Sequence, residues 1–187
     1  MSSREAFVAV HRFGLGPRPG ELDEAASDPH AWLKRQIKKT ADAKTPDEFG
    51  GLPSGAERMG DLLRARRDRG DGGAQKLVQE SFRETYINEA SARLRVQVGT
   101  STPFRERLVA FWSNHFTVSV QRPPLMGTAG AFEREAIRPH VTGRFYDMLL
   151  AVARHPAMIV YLDNGQSFGP NSTVGARQRR GLNENLA

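Results

Sequence analysis

The sequence predicts an all-α protein: an irregular helical bundle with long loops, organised about a central antiparallel helix pair at about 74–98 and 103–117. Three observations carry this. Between Ala74 and Val98, the residues Val78, Phe82, Tyr86, Ala90, Leu94 and Val98 recur at every fourth position, with Leu77 and Ile87 widening the stripe. Between Thr102 and Val118, the residues Leu108, Phe111, Trp112, His115 and Phe116 fall at i, i+3, i+4, i+7 and i+8, which is one helical face directed at the core. No two alternating segments flank a hairpin turn, and His115–Val120 (HFTVSV) is the one piece that reads as extended.

Taken in order, Arg4 to Arg12 reads as a short helix with Phe7, Val8 and His11 on one side. Gly14–Gly20 (GLGPRPG) breaks it. Two prolines remove N–H donors that a phosphate cradle would use and the Gly-Lys-Ser/Thr ending is missing, so the segment reads as a rigid turn. Glu21 to Ala26 is a helical turn. Asp28-Pro29 is a cap followed by a first-turn proline, starting a helix to about Lys39 with Trp32, Leu33, Gln36 and Ile37 on one face. A flexible linker occupies about 41–55. Glu57 to Arg69 is helical and ends in a basic run from Arg64. Gly99 stops the long helix, and a short link delivers the chain to Thr102-Pro103, where the threonine hydroxyl is expected to cap and the proline to occupy the first helical position. A link this short predicts an αα-hairpin. Arg105, Glu106, Arg107 and Asn114 lie off the apolar stripe.

After Val118 the segment SVQRPPLMGTAG reads as a loop, followed by a short helix from Ala131 to Arg138 that Pro139 ends. Thr142 to Arg154 is the next helix, with Phe145, Met148, Leu149 and Val152 inward. His155-Pro156 breaks it, and Ala157 to Leu162 continues for one or two turns. Asp163 opens a polar loop, and a second flexible linker spans about 163–181. GLNENLA at the end reads as the first turn of a helix too short to stabilise itself.

The 187 residues fit one helical domain, or the N-terminal part of a larger one. The chain is 39% hydrophobic and 26% charged, enough for a core. Net charge is +6, but the arginines are scattered among Asp and Glu. The basic runs Arg64–Arg69 and Arg177–Arg180 lack interleaved aromatics for base stacking, so nucleic-acid binding is the outsider among the readings. The absence of cysteine excludes disulfides, thiolate metal sites and cysteine nucleophiles. There is no apolar run of spanning length and no signal-peptide h-region, which predicts a cytoplasmic protein.

The segments RFGLGPRPGEL, FWSNHFTVS, FEREAIRPHVTGRFYDMLLAVARHPAMIVYLDN, QSFGPNS and GLNENLA, in that order, resemble the large bacterial family known as domain of unknown function 1800. The resemblance covers nearly all of the chain except Lys44–Gly73. It implies a mainly helical protein whose activity is not established. It also implies that the chain is truncated: family members continue past the motif matching Asn183-Glu184-Asn185 with a helix of the type ARELLELHTLG, whose acidic and histidine residues are absent here. On this expectation, a missing C-terminal segment completes a site with the earlier residues, and that segment or a protein partner docks on the chain.

One constellation carries candidate chemistry: His115 with Asp163, Asn164, Asn171, Asn183 and Glu184. Imidazole with carboxylate and amide oxygens suits a divalent metal such as zinc, manganese or iron, with His115, Asp163, Asn164 and Glu184 as ligands. The same residues His115, Asp163 and Glu184 can serve general acid/base catalysis in a metal-assisted hydrolase. No HExxH, no histidine pair at helical spacing and no EF-hand spacing supports it. Asn/Asp/Ser/Gly clusters commonly shape turns, and Asn183 has a structural role open to it as a helix cap. Ser113 and Ser119 flank His115 without a nucleophile elbow, and Glu133 and Glu135 point to different sides of their helix. The leading reading is a partial metal-assisted hydrolase-like site; the alternative is a non-catalytic interaction or scaffold module, which predicts an exposed apolar patch.

Overall fold

A computed structural model of the chain describes residues 4–37, 45–67, 72–169, 171–179 and 181–186. Among these residues there is no strand, and ten α-helices follow one another: α1 (Arg4–Val8), α2 (Glu21–Ser27), α3 (Pro29–Gln36), α4 (Gly55–Arg67), α5 (Gly72–Gly99), α6 (Pro103–His115), α7 (Pro123–Phe132), α8 (Phe145–Arg154), α9 (Pro156–Tyr161) and α10 (Thr173–Gln178). Two π turns extend α1 and α7, at Ala9–Phe13 and Glu133–Ile137. The fold is all-α, as the periodicities predict.

The main core joins α6 through Val109, α7 through Leu125 and Phe132, the second π turn through Ala136 and Ile137, α8 through Met148 and Val152, and α9 through Ala157 and Met158. A smaller N-terminal cluster packs Ala6, Ala9 and Val10 against Ala25 and Trp32. A third joins Phe49 to Ala92 and Val96 of α5. Two glycines of α7 set the spacing between α5 and α7. A Cβ on Gly127 would lie 2.6 Å from the Phe82 ring, and one on Gly130 would lie 2.5 Å from the Glu89 side chain. Neither position has room for a methyl group, so α7 lies directly on α5.

Several local expectations hold. Asp28 caps α3 by accepting from the Ala31 N–H at 2.9 Å, with Pro29 behind it. The GLGPRPG segment is a turn with Gly16 and Gly20 at positive φ. His155-Pro156 separates α8 from α9, and the His155 ring caps α9 by accepting from the Ala157 N–H at 3.1 Å.

Others need correction. The segment read as a loop, 119–130, contains most of α7. Its two prolines stand in the first turn, where they cost no hydrogen bond, and its glycines, poor helix formers, are there for close packing. Thr102 does not cap α6. Its hydroxyl meets that of Thr100 at 3.1 Å, and the Phe104 N–H donates instead to Oε1 of the buried Gln36, at 2.8 Å, from α3. The two long helices do follow one another through residues 100–102, yet α5 packs most extensively on α7, while α6 sits on the second π turn, α3 and the first π turn.

The face assigned to α6 is also revised. Phe111 is 58% exposed and His115 is exposed, whereas Arg105 and Glu106 are buried. Leu108, Trp112 and Phe116 pack only at the border of the core. The helix has turned to bury its charged N-terminal residues because ion-pair partners wait there. Along the linker read at 41–55, residues 47–49 form a 3₁₀ turn whose Phe49 is buried; 38–44 lie outside the described residues. The other linker, 163–181, carries α10 and a 3₁₀ turn at Asn164–Gln166.

Candidate functional site

The interior is built around the π turn that follows α7. A π turn closes its backbone bonds five residues apart, and here the Arg138 N–H reaches the Glu133 carbonyl. The side chains follow the same spacing: Arg138 Nε donates to Glu133 Oε1 at 3.0 Å. The other two guanidinium nitrogens of Arg138 form a fork on Glu106 of α6, at 2.7 and 2.9 Å. Its plane also lies over the Phe49 ring, 4.7 Å from the centroid. Arg105 donates to the Arg138 carbonyl at 2.8 Å. Burial pushes the Arg138 guanidinium down, but the hydrogen bonds to Glu106 and the charge of Glu133 more than offset it, leaving its pKa above the ordinary value. Arg105, with fewer compensating bonds, is held below the ordinary value by burial.

Neighbouring residues of the turn extend the network in different directions. Arg134 meets Glu89 of α5 at 2.7 Å and the Pro53 carbonyl at 2.6 Å. Glu135 accepts from the Gly55 N–H at 3.0 Å and stands 3.1 Å from Nε2 of the buried His155. His155 Nδ1 is already an acceptor from Ala157, so the proton of a neutral ring belongs on Nε2 and points to Glu135. Burial pushes the Glu135 carboxyl up, but hydrogen bonds from His155 and Gly55 outweigh it and hold the pKa below the usual value. Glu133 and Glu135 thus serve opposite sides, as the sequence predicts.

One side of this network opens on a cleft of about 450 Å³ between α5, the C-terminal part of α6 and α7. Glu133 lies in its wall, accepting from the Ser113 hydroxyl at 3.2 Å and paired with Arg93 of α5 at 3.1 Å. Phe49, Tyr86 and Phe132 supply aromatic surface.

The residues predicted to form a site lie at the end of α6 and in the segments around α10. His115 ends α6 on an aromatic patch, with ring centroids 4.7 Å from Phe116, 5.4 Å from Trp112 and 6.4 Å from Phe111. Phe145 of α8 completes the patch, 5.6 Å from Trp112 and 6.2 Å from Phe116. Asp163 stands at the left-handed φ of 54° and pairs with Arg122 at 2.8 Å. Asn164 Oδ1 accepts from the Ser167 hydroxyl at 2.7 Å, and that hydroxyl accepts from the Asn183 N–H at 2.9 Å. Asn183 in turn caps the turn at Glu184–Leu186, accepting from the Asn185 N–H at 2.9 Å. The fold therefore draws Asp163, Asn164 and Asn183 together through turn and cap hydrogen bonds, leaves Glu184 and Asn171 exposed, and sets His115 among the rings of Phe111, Trp112 and Phe116. Among the described residues no group of three His, Asp or Glu side chains is arranged to hold a metal ion.

Sequence reasoning missed Glu106, Arg138, Arg93 and Glu89. The available signal was FEREAIR itself: four charges in six residues inside an apolar stretch, with Glu133 and Arg138 five apart.

An all-α fold with a charged, hydrogen-bonded interior beside an aromatic surface defines a class of helical protein without an assigned chemistry. Over residues 8–187 the chain matches the family described as "Protein of unknown function (DUF1800)", and it belongs to that family. No curated protein and no solved structure matches it. Among the described residues, no helix is long and apolar enough to cross a membrane.

Proposed function

We propose that the chain is a non-catalytic interaction module whose docking surface is the aromatic patch at the end of α6. The observation that carries this reading is the set of five rings, Phe111, Trp112, His115, Phe116 and Phe145, in continuous contact. Phe111 is 58% exposed and Phe145 52%, with Tyr146 and Leu149 exposed beside them on α8. Contiguous exposed apolar surface marks association sites, and aromatic side chains make efficient anchors because they immobilise few torsions. The occupant that fits is a polypeptide segment presenting apolar and aromatic side chains, seated between α6 and α8.

Metal-assisted hydrolysis through His115, Asp163, Asn164 and Glu184 has less support. Asp163 is neutralised by Arg122, and the amides of Asn164 and Asn183 are taken up in shaping the loop.

A peptide array probed with the folded protein, followed by titration of the hits in solution, tests the interaction reading. Peptides rich in Leu, Ile, Phe, Trp or Tyr are expected. Their affinity should fall by about tenfold or more in a Phe111→Ser/Phe145→Ser variant, since truncating an interface anchor typically costs about 2 kcal/mol. Hits that bind the double variant as well as the parent would sink the proposal.

A further inference from the structure

We propose that the cleft between α5 and α7 is a binding site for a small monocarboxylate with an apolar body, recognised by Arg93. The inference does not depend on the aromatic patch. The linked set Arg93, Glu133, Arg138, Glu106 and Arg105 holds three guanidinium groups and two carboxylates, an excess of one positive charge. Four of its members are buried, and Arg93, 39% exposed, is the cation of the set that lines the cleft. Arg93 brings Nε to 3.1 Å from Glu133 as an ion pair, and among the described residues its terminal nitrogens have no side-chain hydrogen bond. A half-exposed guanidinium paired on its Nε side, with its Nη atoms turned to a cleft, offers the half of a fork that a carboxylate completes.

The surroundings define the rest of the ligand. The volume, about 450 Å³, is in the range of small-molecule sites, and Tyr86, Leu94 and Phe132 line it with apolar surface. Glu133 and Glu89 also stand in the wall, so a doubly charged phosphate monoester would meet two carboxylates after satisfying one surplus cation. A single negative charge on an aliphatic or aromatic body matches both features.

Calorimetric titration of the intact chain with hexanoate, benzoate, hexanamide and inorganic phosphate tests the assignment. Hexanoate or benzoate is expected to bind, with hexanamide and phosphate much weaker. Arg93→Gln should weaken carboxylate binding by at least about tenfold, the loss expected when a charge-assisted pair of hydrogen bonds is removed. Ala90→Phe, which fills the cleft and leaves every ion pair in place, should abolish it; circular dichroism confirms that both variants are folded. Equal binding of hexanoate and hexanamide would overturn the role of Arg93. Phosphate binding as tight as that of hexanoate would overturn the ligand class. Failure of both carboxylates to bind, or carboxylate binding unchanged in Ala90→Phe, would overturn the site.

Discussion

The two halves of α6 invert the usual division of labour on a helix. The N-terminal half puts Arg105 and Glu106 inside the protein, and the C-terminal half leaves Phe111 and His115 outside it. The inversion shows what decides burial. A charge goes inside when a fixed partner meets it with matched geometry, as Arg138 meets Glu106. An aromatic ring stays outside when the core is already filled by Val109 and the side chains of α7 and α8. The buried half ties α6 to the π turn, and the exposed half is the surface proposed to meet a partner.

The largest expected effect falls on the buried half. Arg138→Met removes the shared partner of Glu106 and Glu133 and leaves two carboxylates in the interior, a loss of about 3–5 kcal/mol. Urea denaturation measures it. Glu106→Gln should cost less, because Arg138 retains Glu133. If Arg138→Met proves nearly neutral, the interior charge network is not what holds α6 to the π turn.

Next is the packing that carries the network on α5. Gly130→Ala would place its methyl group 2.5 Å from the Glu89 side chain, and Glu89 holds Arg134. The expected cost is about 1–3 kcal/mol from overpacking, read as a lowered melting temperature. Gly16→Ala makes a useful contrast: nothing lies near its Cβ, but φ is +100°, so any loss there reports backbone strain alone.

How much of this the sequence discloses follows from the same contrast. Periodicity locates α5, α6 and α8, because one face of each repeats in apolar residues, and Asp28-Pro29 marks the start of α3 by local chemistry. It misses α7, whose prolines and glycines lower helix propensity locally and are justified only by the close approach of Phe82 and Glu89. It also misses the buried network. Glu106 and Arg138 are 32 residues apart, and a charge looks solvated until its partner is known. The aromatic stripe of α6 is legible as a stripe, but whether it faces core or solvent depends on how much of the core the other helices have already filled.

A pH experiment separates the charged interior from its edge. The Glu135 carboxyl is held below its ordinary 4.5 by His155 and Gly55, against the effect of burial. A group with a lowered folded pKa contributes stability above its unfolded pKa and loses it as the pH falls through the folded one. Parent and Glu135→Gln should therefore differ in melting temperature at neutral pH and converge as the pH drops below about 4. A difference that persists in acid would mean that Gln at this position disturbs packing and not charge.

The smallest expected effect is the most informative about the exposed half. Phe111→Ser should change stability by no more than about 0.5 kcal/mol, as for substitutions away from the core. Its ring is more than half exposed, at 58%, and its ring partners Trp112 and His115 lie on the same helix. Trp112→Ala should cost more, because its indole packs against the main core as well as against Phe145. A near-zero value for Phe111 beside a real loss for Trp112 would mean that the ring contributes little to folding although serine at that position would be more soluble. Retaining an aromatic group there then needs a reason outside the folded chain, and a bound partner is the reason proposed. A large loss at Phe111 would instead make the patch an extension of the core and remove the ground for that proposal.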